Sequence, residues 1–339
     1  MEFTSVNKIF QESFKKNWDR PAISNYQGLT LHYREVAVRI AKMHIMFEEC
    51  GLQKGDKVAL CSRNQANWAV AFLSAMTYGA VPVPLLHEFK SSNIHHLVNH
   101  SEAKVLFVDD VIWEGLSETE MPDLHAIVQL SPFRILYAKY ERITEMRDRL
   151  NVLFGEKYPA EFTADDLCYY EDSPNELAII NYTSGTSGFS KGVMVPYRAV
   201  MSNLEFGRKV LPGLDNTKNV VSMLPSAHMY GLMFELLYEL SVGAHVHFLS
   251  RVPSPKIIMR ALAEVKPYVI IAVPLVIEKI YKTKVKPILE KEGIKVLMKL
   301  PVLNQILMNK IKTELVNAFG GEFYEVIIGG AAFNKEVEA

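Results

Sequence analysis

The sequence predicts an α/β fold made of two packed α/β subdomains with mostly parallel sheets. Three observations indicate this class: short β-rich runs alternate with longer helical patterns from residue 57 onward, the alternation resumes near residue 176, and a stretch of weaker periodicity separates the two series. With 339 residues the chain is long enough to bury more than one core. We therefore expect a first subdomain with its connector at 1–170 and a second at 171–339.

The first series begins as a strand, helix, strand unit. Its strand runs and helical patterns are rich in the residue types that favour each structure. They are strands at 58–61, 80–83, 104–108 and 126–130 and helices at 67–78 and 91–101. The charged and aromatic stretch at about 132–174 then predicts a connector between two sheet systems.

The second series consists of further strand runs separated by helical patterns. These runs lie at 176–182, 219–224, 244–249, 268–273 and 324–329. Their alternation with helices predicts a second, mainly parallel sheet.

Charge and cysteine content exclude several classes of protein. Lysine and arginine number 37 against 38 acidic residues, so no general field attracts nucleic acid. Cys50, Cys61 and Cys168 lack the close spacing of metal sites or disulfide frameworks, which predicts core thiols in a reducing compartment. The first residues contain an early acid and no apolar run, and this favours a cytoplasmic protein.

Residues 282–312 have a different pattern, with eight lysines interleaved among aliphatic residues. The spacing predicts two amphipathic helices broken near Pro301. Two interpretations remain open, namely a solvated helix pair packed on the domain and a peripheral contact with a membrane surface.

The segment 183–192 has the composition of a phosphate-binding loop. Its three glycines permit tight turns that direct backbone amides at an anion, five hydroxyl residues add donors, and Lys191 adds a cation. An ordinary polar loop is the alternative, because glycine, serine and threonine are common turn formers. The loop of kinase-type nucleotide-binding proteins does not match, since Ser190 and Gly192 replace the glycine and the hydroxyl residue that flank its lysine.

Residues 182–193 resemble the signature loop of the adenylate-forming (AMP-binding) superfamily of acyl-CoA synthetases, adenylation domains and luciferases. The usual pattern reads Y-T-S-G-T-T-G-x-P-K-G-V, and here Ser187 replaces threonine while Ser190 replaces proline. Other segments agree in order and spacing, and several are most similar to long-chain fatty acyl-CoA synthetases. The segments that agree with the family are 51–60, 64–68, 79–85, 224–231 and 328–332, and those similar to the long-chain synthetases are 224–230, 273–280 and 329–338.

The resemblance implies roles for individual residues, with ATP, Mg²⁺ and coenzyme A as the small-molecule partners. The residues implied to hold the β and γ phosphates are Thr183, Ser184, Gly185, Thr186, Ser187, Gly188 and Lys191, with Thr183 also near magnesium. His228 would lie beside the substrate carboxylate as a catalytic and substrate-binding residue, although a packed core histidine is the alternative. The residues implied to border the acyl channel are Met229, Tyr230, Gly231, Val273 and Pro274, each also an ordinary core residue type. The adenine side would be formed by Gly329, Gly330 and Ala331, and a tight turn there is the alternative.

The implied function is ATP-dependent activation of a fatty acid to acyl-AMP and then to acyl-CoA. Adenylation of another carboxylic acid and a nonenzymatic nucleotide- or acyl-binding module remain alternatives. The family's later segments, which supply the magnesium-binding acid, the ribose aspartate and the α-phosphate lysine, do not occur in this sequence. We therefore expect the chain to be a fragment of a longer ligase, without its C-terminal domain and with little or no activity alone.

Overall fold

A six-stranded sheet, a five-stranded sheet and a separate two-stranded hairpin form the framework of the computed structural model. The structure describes residues 4–183, 190–249, 254–292, 294 and 301–334. The strands are β1 (Pro21–Asn25), β2 (Thr30–His32), β3 (Lys57–Cys61), β4 (Val81–Leu85), β5 (Ala103–Val108), β6 (Ala126–Leu130), β7 (Phe133–Ala138), β8 (Leu177–Thr183), β9 (Lys191–Pro196), β10 (Asn219–Ser222), β11 (His245–Phe248), β12 (Val269–Ala272) and β13 (Glu325–Ile328).

Helices pack against these sheets and connect most of the parallel strands. They are α1 (Val6–Lys16), α2 (Tyr33–Glu49), α3 (Ala66–Tyr78), α4 (Ser91–His100), α5 (Asp110–Trp113), α6 (Glu141–Thr144), α7 (Met146–Lys157), α8 (Tyr197–Val210), α9 (Met229–Leu232), α10 (Tyr238–Val242), α11 (Pro255–Val265), α12 (Pro274–Ile280), α13 (Lys286–Leu289) and α14 (Pro301–Ala318). A π-helical turn at Met233–Leu237 joins α9 to α10, and another at Tyr281–Val285 joins α12 to α13. The α/β class with mainly parallel sheets is confirmed.

The five-stranded sheet has the order β4-β3-β5-β6-β7 and is parallel except for β7. Both faces are covered, which explains the continuous apolar runs of its strands. In β5, Val105 and Phe107 belong to the main core, whereas Leu106 and Val108 belong to a second core on the opposite face. The predicted connector at 132–174 thus contains both β7, which is the edge strand of this sheet, and the 12-residue helix α7.

The six-stranded sheet has the order β13-β12-β10-β11-β1-β2. Strand β1 pairs in parallel with β11, and β2 pairs antiparallel with β1. Residues 21–32 therefore lie in the sheet built from the later strands. The division at residue 170 does not coincide with the division between the sheets, and it stays a prediction.

Strand β8 does not belong to the six-stranded sheet, so its predicted place in the second series is wrong. It pairs antiparallel with β9 and lies beside β4 of the five-stranded sheet. The Val81 N–H donates to the Asp56 carbonyl on the β3 side at 2.8 Å, so the nitrogens of Pro82 and Pro84 face away from β3. Because proline has no N–H, β4 offers few donors toward β8, and the hairpin remains separate.

Two further observations bear on the sequence predictions. Cys50 and Cys61 are buried, whereas Cys168 is exposed, so the prediction of a core thiol is wrong at Cys168. Within the described ranges, no helix combines the length and apolar character needed to cross a membrane.

Candidate functional site

The candidate site lies where three neighbouring parallel strands end. Strands β10, β12 and β13 are adjacent and parallel, so Ser222, Ala272 and Ile328 lie at the same edge of the sheet. In open α/β sheets this carboxyl edge is where ligands bind. The segments that follow the three strands contain the predicted residues at 228–231, 273–274 and 329–331.

His228 is exposed at the start of α9 and is not packed in the core. Its N–H donates to the Pro225 carbonyl at 2.9 Å, and its carbonyl accepts from the Leu232 N–H at 2.9 Å. These bonds fix its backbone, while no hydrogen bond engages its ring among the described residues. The imidazole is therefore accessible to a ligand at the sheet edge.

Tyr230 brings the predicted acyl and adenine regions together. Its hydroxyl donates to the Ile327 carbonyl at 3.4 Å. A Cβ atom on Gly329 would lie 3.0 Å from Cζ of Tyr230, so a side chain there would displace the ring. Gly330 has φ +85°, in the left-handed region, and a Cβ there would lie 3.5 Å from Cγ1 of Val273. Gly329 thus lets the Tyr230 ring pack against the backbone, and Gly330 allows the turn that follows β13.

The remaining predicted residues of this group occupy the starts of helices and a strand end. Met229 is the first residue of α9, and Pro274 is the buried first residue of α12. Ala331 is exposed after β13. A Cβ on Gly231 would lie 2.8 Å from the Pro225 carbonyl oxygen, so Gly231 lets α9 pack on the preceding turn.

Two aromatic residues that the sequence analysis missed extend this surface. The rings of Tyr230 and Phe234 have centroids 6.0 Å apart, and those of Phe234 and Phe206 are also 6.0 Å apart. Phe206 is 54% exposed. The i, i+4 spacing of Tyr230 and Phe234 could have revealed the first contact, whereas no sequence signal links Phe206 on α8 to either.

The hairpin that carries the phosphate loop reaches the same edge. Thr183 and Lys191 are opposite each other in the β8–β9 pairing, and both are exposed. The predicted residues Ser184, Gly185, Thr186, Ser187 and Gly188 lie outside the described residues. The side-chain amide of Asn181 donates to the Ala227 carbonyl at 2.9 Å and so joins β8 to the turn before His228. The structure therefore places the ends of the loop beside the turn that carries the histidine.

The described part of the chain contains no group of three or more histidine, cysteine, aspartate or glutamate residues that could hold a metal ion. Thr183 supplies a hydroxyl at the end of β8 and stays a predicted magnesium ligand. Since magnesium usually keeps several waters and binds substrate phosphates, one hydroxyl is compatible with such a site.

This chain is similar to known proteins in both sequence and fold. A family model described as AMP-binding enzyme matches residues 10–339. The human long-chain-fatty-acid–CoA ligase ACSBG2 is 25% identical over 301 residues, covering 86% of this chain and 44% of that protein. Long chain acyl-CoA synthetase 3 of Arabidopsis thaliana is 27% identical over 265 residues, covering 74% of this chain and 37% of that protein. The chain thus spans less than half the length of these two relatives.

Solved structures share the fold. Apo MatB from Rhodopseudomonas palustris has a TM-score of 0.73 at 18% identity, over 98% of this chain and 56% of that one. The inhibitor-bound N-terminal domain of FACL13 from Mycobacterium tuberculosis has a TM-score of 0.73 at 15% identity, over 99% of this chain and 72% of that one.

Proposed function

Because the chain belongs to the AMP-binding enzyme family, we propose that its full-length protein activates a carboxylic acid with ATP to form an acyl-adenylate, which a thiol then attacks. The observation that carries this proposal is the convergence of the phosphate-loop hairpin, the His228 turn and the glycine-rich end of β13 at one sheet edge. A site that joins ATP to a carboxylate needs these parts close together.

The chemistry explains the residue types. A free carboxylate is a poor acyl donor because its leaving group would be oxide. Attack of a carboxylate oxygen on the α-phosphorus of ATP forms a mixed anhydride and releases pyrophosphate. The thiol then attacks the acyl carbon and AMP leaves. The first step depends chiefly on positioning and on neutralising phosphate charge.

Lys191 and Thr183 contribute to the first step in this proposal. Lys191 is exposed beside the loop and provides positive charge for the β and γ phosphates of ATP. The Thr183 hydroxyl provides a hydrogen bond to phosphate and one oxygen for magnesium. A bound magnesium ion would neutralise part of the phosphate charge.

His228 donates a hydrogen bond to the substrate carboxylate in this proposal. Its exposed ring lies next to the turn that Asn181 joins to β8. An imidazole N–H there orients a carboxylate toward the phosphate. Gly330 and Ala331 are exposed after β13 and let the adenine approach the backbone in this proposal, while Gly329 contacts the Tyr230 ring.

A fatty acid is the proposed substrate, with coenzyme A as the acceptor. The rings of the aromatic residues at 206, 230 and 234 contact one another in series, starting two residues after His228, and this apolar surface supports a hydrocarbon substrate. The two curated relatives described above are named as long-chain acyl-CoA ligases or synthetases. Another carboxylic acid is the alternative substrate, and the exposed position of Phe206 is compatible with either.

A panel of acids tests this assignment in the full-length protein. Each acid is incubated with ATP, magnesium and coenzyme A, and AMP and thioester are measured separately. We expect both products with medium or long fatty acids and little with acetate or benzoate. AMP without thioester would indicate adenylation alone, and no AMP with any acid would refute the proposed activity. The prediction that residues 1–339 alone are inactive is tested by the same assay on this chain.

A further inference from the structure

The turn at 223–228 leaves the six-stranded sheet and ends at His228. Backbone N–H and carbonyl groups there have no neighbouring strand to pair with, and unpaired buried groups are costly. Side chains from three separate segments of the chain supply partners for several of these groups. The most extensive contribution comes from Glu235.

Glu235 is fully buried, and one of its oxygens accepts three hydrogen bonds from the end of β10. Its Oε2 accepts from the Ser222 hydroxyl at 3.1 Å, from the Met223 N–H at 3.1 Å and from the Leu224 N–H at 2.9 Å. The carboxyl group therefore replaces a strand partner at the point where the chain turns out of the sheet.

The helix that carries Glu235 contains the π-helical turn at Met233–Leu237. Such a turn changes the direction of the side chains that follow it and is frequent at functional sites. Because α9 begins at Met229, directly after His228, the bonds of Glu235 connect the helix back to the strand. Hydrogen bonds thus join the two ends of the segment 222–235, and His228 lies between these ends in the sequence.

Two asparagines complete the contacts of this turn. Oδ1 of Asn64 accepts from the Ser226 N–H at 2.8 Å, and Asn181 donates to the Ala227 carbonyl at 2.9 Å. The side-chain amide of Asn64 also donates to the Leu224 carbonyl at 2.5 Å. Glu235 therefore bonds the amides at the start of the turn, while the asparagines bond backbone groups at 224, 226 and 227.

Glu239 lies one turn further along and provides a comparison. It is also fully buried, but neither of its carboxyl oxygens has a hydrogen-bond partner. Burial alone therefore does not account for the three bonds of Glu235. Substitutions at both positions therefore distinguish the loss of a buried acid from the loss of the hydrogen bonds to the turn.

We propose that Glu235 is a positioning residue that holds the 223–228 turn so that His228 faces the bound carboxylate. This inference rests on the proposed function, because it assigns His228 its place at that site. The first part of the inference, that Glu235 orders the turn, does not depend on which substrate binds.

The experiment compares Glu235→Leu, Glu235→Gln and Glu239→Leu in the full-length protein. Two quantities are measured: kcat and KM for acid-dependent AMP formation, and hydrogen exchange of the backbone amides at 222–231. We expect Glu235→Leu to lower kcat/KM for the acid by about 10- to 100-fold and to accelerate exchange at Met223 and Leu224. Glu235→Gln retains the acceptor oxygen and should restore both quantities, whereas Glu239→Leu should change neither.

Three outcomes would overturn the proposal: unchanged kcat/KM and exchange in Glu235→Leu, an equal loss in Glu239→Leu, or no rescue by glutamine. If Glu235→Leu does not fold, Ser222→Ala removes one of the three bonds and should give a smaller change in the same direction. If the unaltered protein forms no AMP with any acid, the proposed function fails. The exchange measurement then still decides whether Glu235 orders the turn.

Discussion

At the scale of single residues, Glu239 is an ionisable group whose environment favours its neutral form. Burial raises the pKa of Glu239 to about 8. An unfolded glutamate has a pKa of about 4.3, so between these values the folded state holds a proton that the unfolded state has lost. The stabilising contribution of Glu239 is therefore fully present below about pH 4.3 and is lost as pH rises through that window.

Replacing Glu239 by glutamine should remove this pH dependence. We expect the free energy of unfolding of the unaltered chain to fall by about 2 kcal/mol more between pH 6 and pH 8 than that of Glu239→Gln. Urea unfolding at both pH values provides the measurement. Equal pH dependence in the two proteins would show that Glu239 is ionised in the folded chain.

Gly231 permits a close contact that any other residue would disturb. A Cβ there would lie 2.8 Å from the Pro225 carbonyl oxygen and 3.0 Å from Cβ of Leu224. Since these atoms belong to the turn, Gly231→Ala should lower the free energy of unfolding by about 1–3 kcal/mol.

The control for this substitution is Gly155→Ala. Gly155 is exposed in α7, and a Cβ there would meet no atom within 4 Å. Alanine should stabilise that helix by about 0.5–1 kcal/mol, and urea unfolding compares the two variants. A Gly231→Ala protein as stable as Gly155→Ala would show that the turn adapts freely.

At the scale of elements, local pattern predicted most strands of the two main series and the helices between them. Strands β3, β5 and β6 lie within one residue of their predicted bounds, because continuous apolar runs between polar segments signal buried strands. Strand β10 ends at Ser222, two residues before the predicted end at 224, because side chains rather than a neighbouring strand bond the next two amides.

Other features depend on contacts that no local pattern encodes. The pairing of β1 with β11 joins residues more than 200 positions apart, and the separation of β8 from β4 depends on where two proline nitrogens point. The predicted site residues were found by a motif, whereas Asn64, Asn181 and Glu235 act through backbone atoms of a distant turn. Their roles appear only in three dimensions.

The lysine-rich segment at 282–312 is described only in part. The described part of helix α14 spans Pro301–Ala318, while residues 293 and 295–300 lie outside the described residues, so the break predicted near Pro301 stays a prediction. Ile306 and Met308 are exposed on α14. Contact of this segment with a membrane surface stays a prediction, as does a cytoplasmic location.

At the scale of the whole molecule, the two halves of the sequence form a shared core. The Tyr33 hydroxyl donates to the Ala244 carbonyl at 2.8 Å, and the Ser13 hydroxyl donates to the Leu240 carbonyl at 2.6 Å. Strand β1 also covers the edge of β11. The later strands therefore depend on the first residues for both pairing and burial.

A chain split at residue 170 should reveal this dependence. We expect residues 171–339 alone to lack a cooperative unfolding transition, because β11 would lose its partner β1 and α10 would lose its contact with α1. Circular dichroism during thermal unfolding provides the measurement, and adding residues 1–170 should restore the transition. Cooperative unfolding of 171–339 alone would instead establish it as an independent domain.

The convergence of the phosphate loop, the His228 turn and the β13 end is the basis of the proposed function. It predicts an enzyme that makes pyrophosphate from ATP only when a carboxylic acid is present. Lys191 should contribute through its charge, whereas Lys16, exposed at the end of α1, should not contribute.

Carboxylate-dependent exchange of labelled pyrophosphate into ATP tests this claim most directly. The full-length protein should exchange label with a fatty acid and not without it. Lys191→Ala should reduce the rate by at least about 10-fold, and Lys16→Ala should keep it. Exchange that needs no acid, or an undiminished rate in Lys191→Ala, would contradict the account.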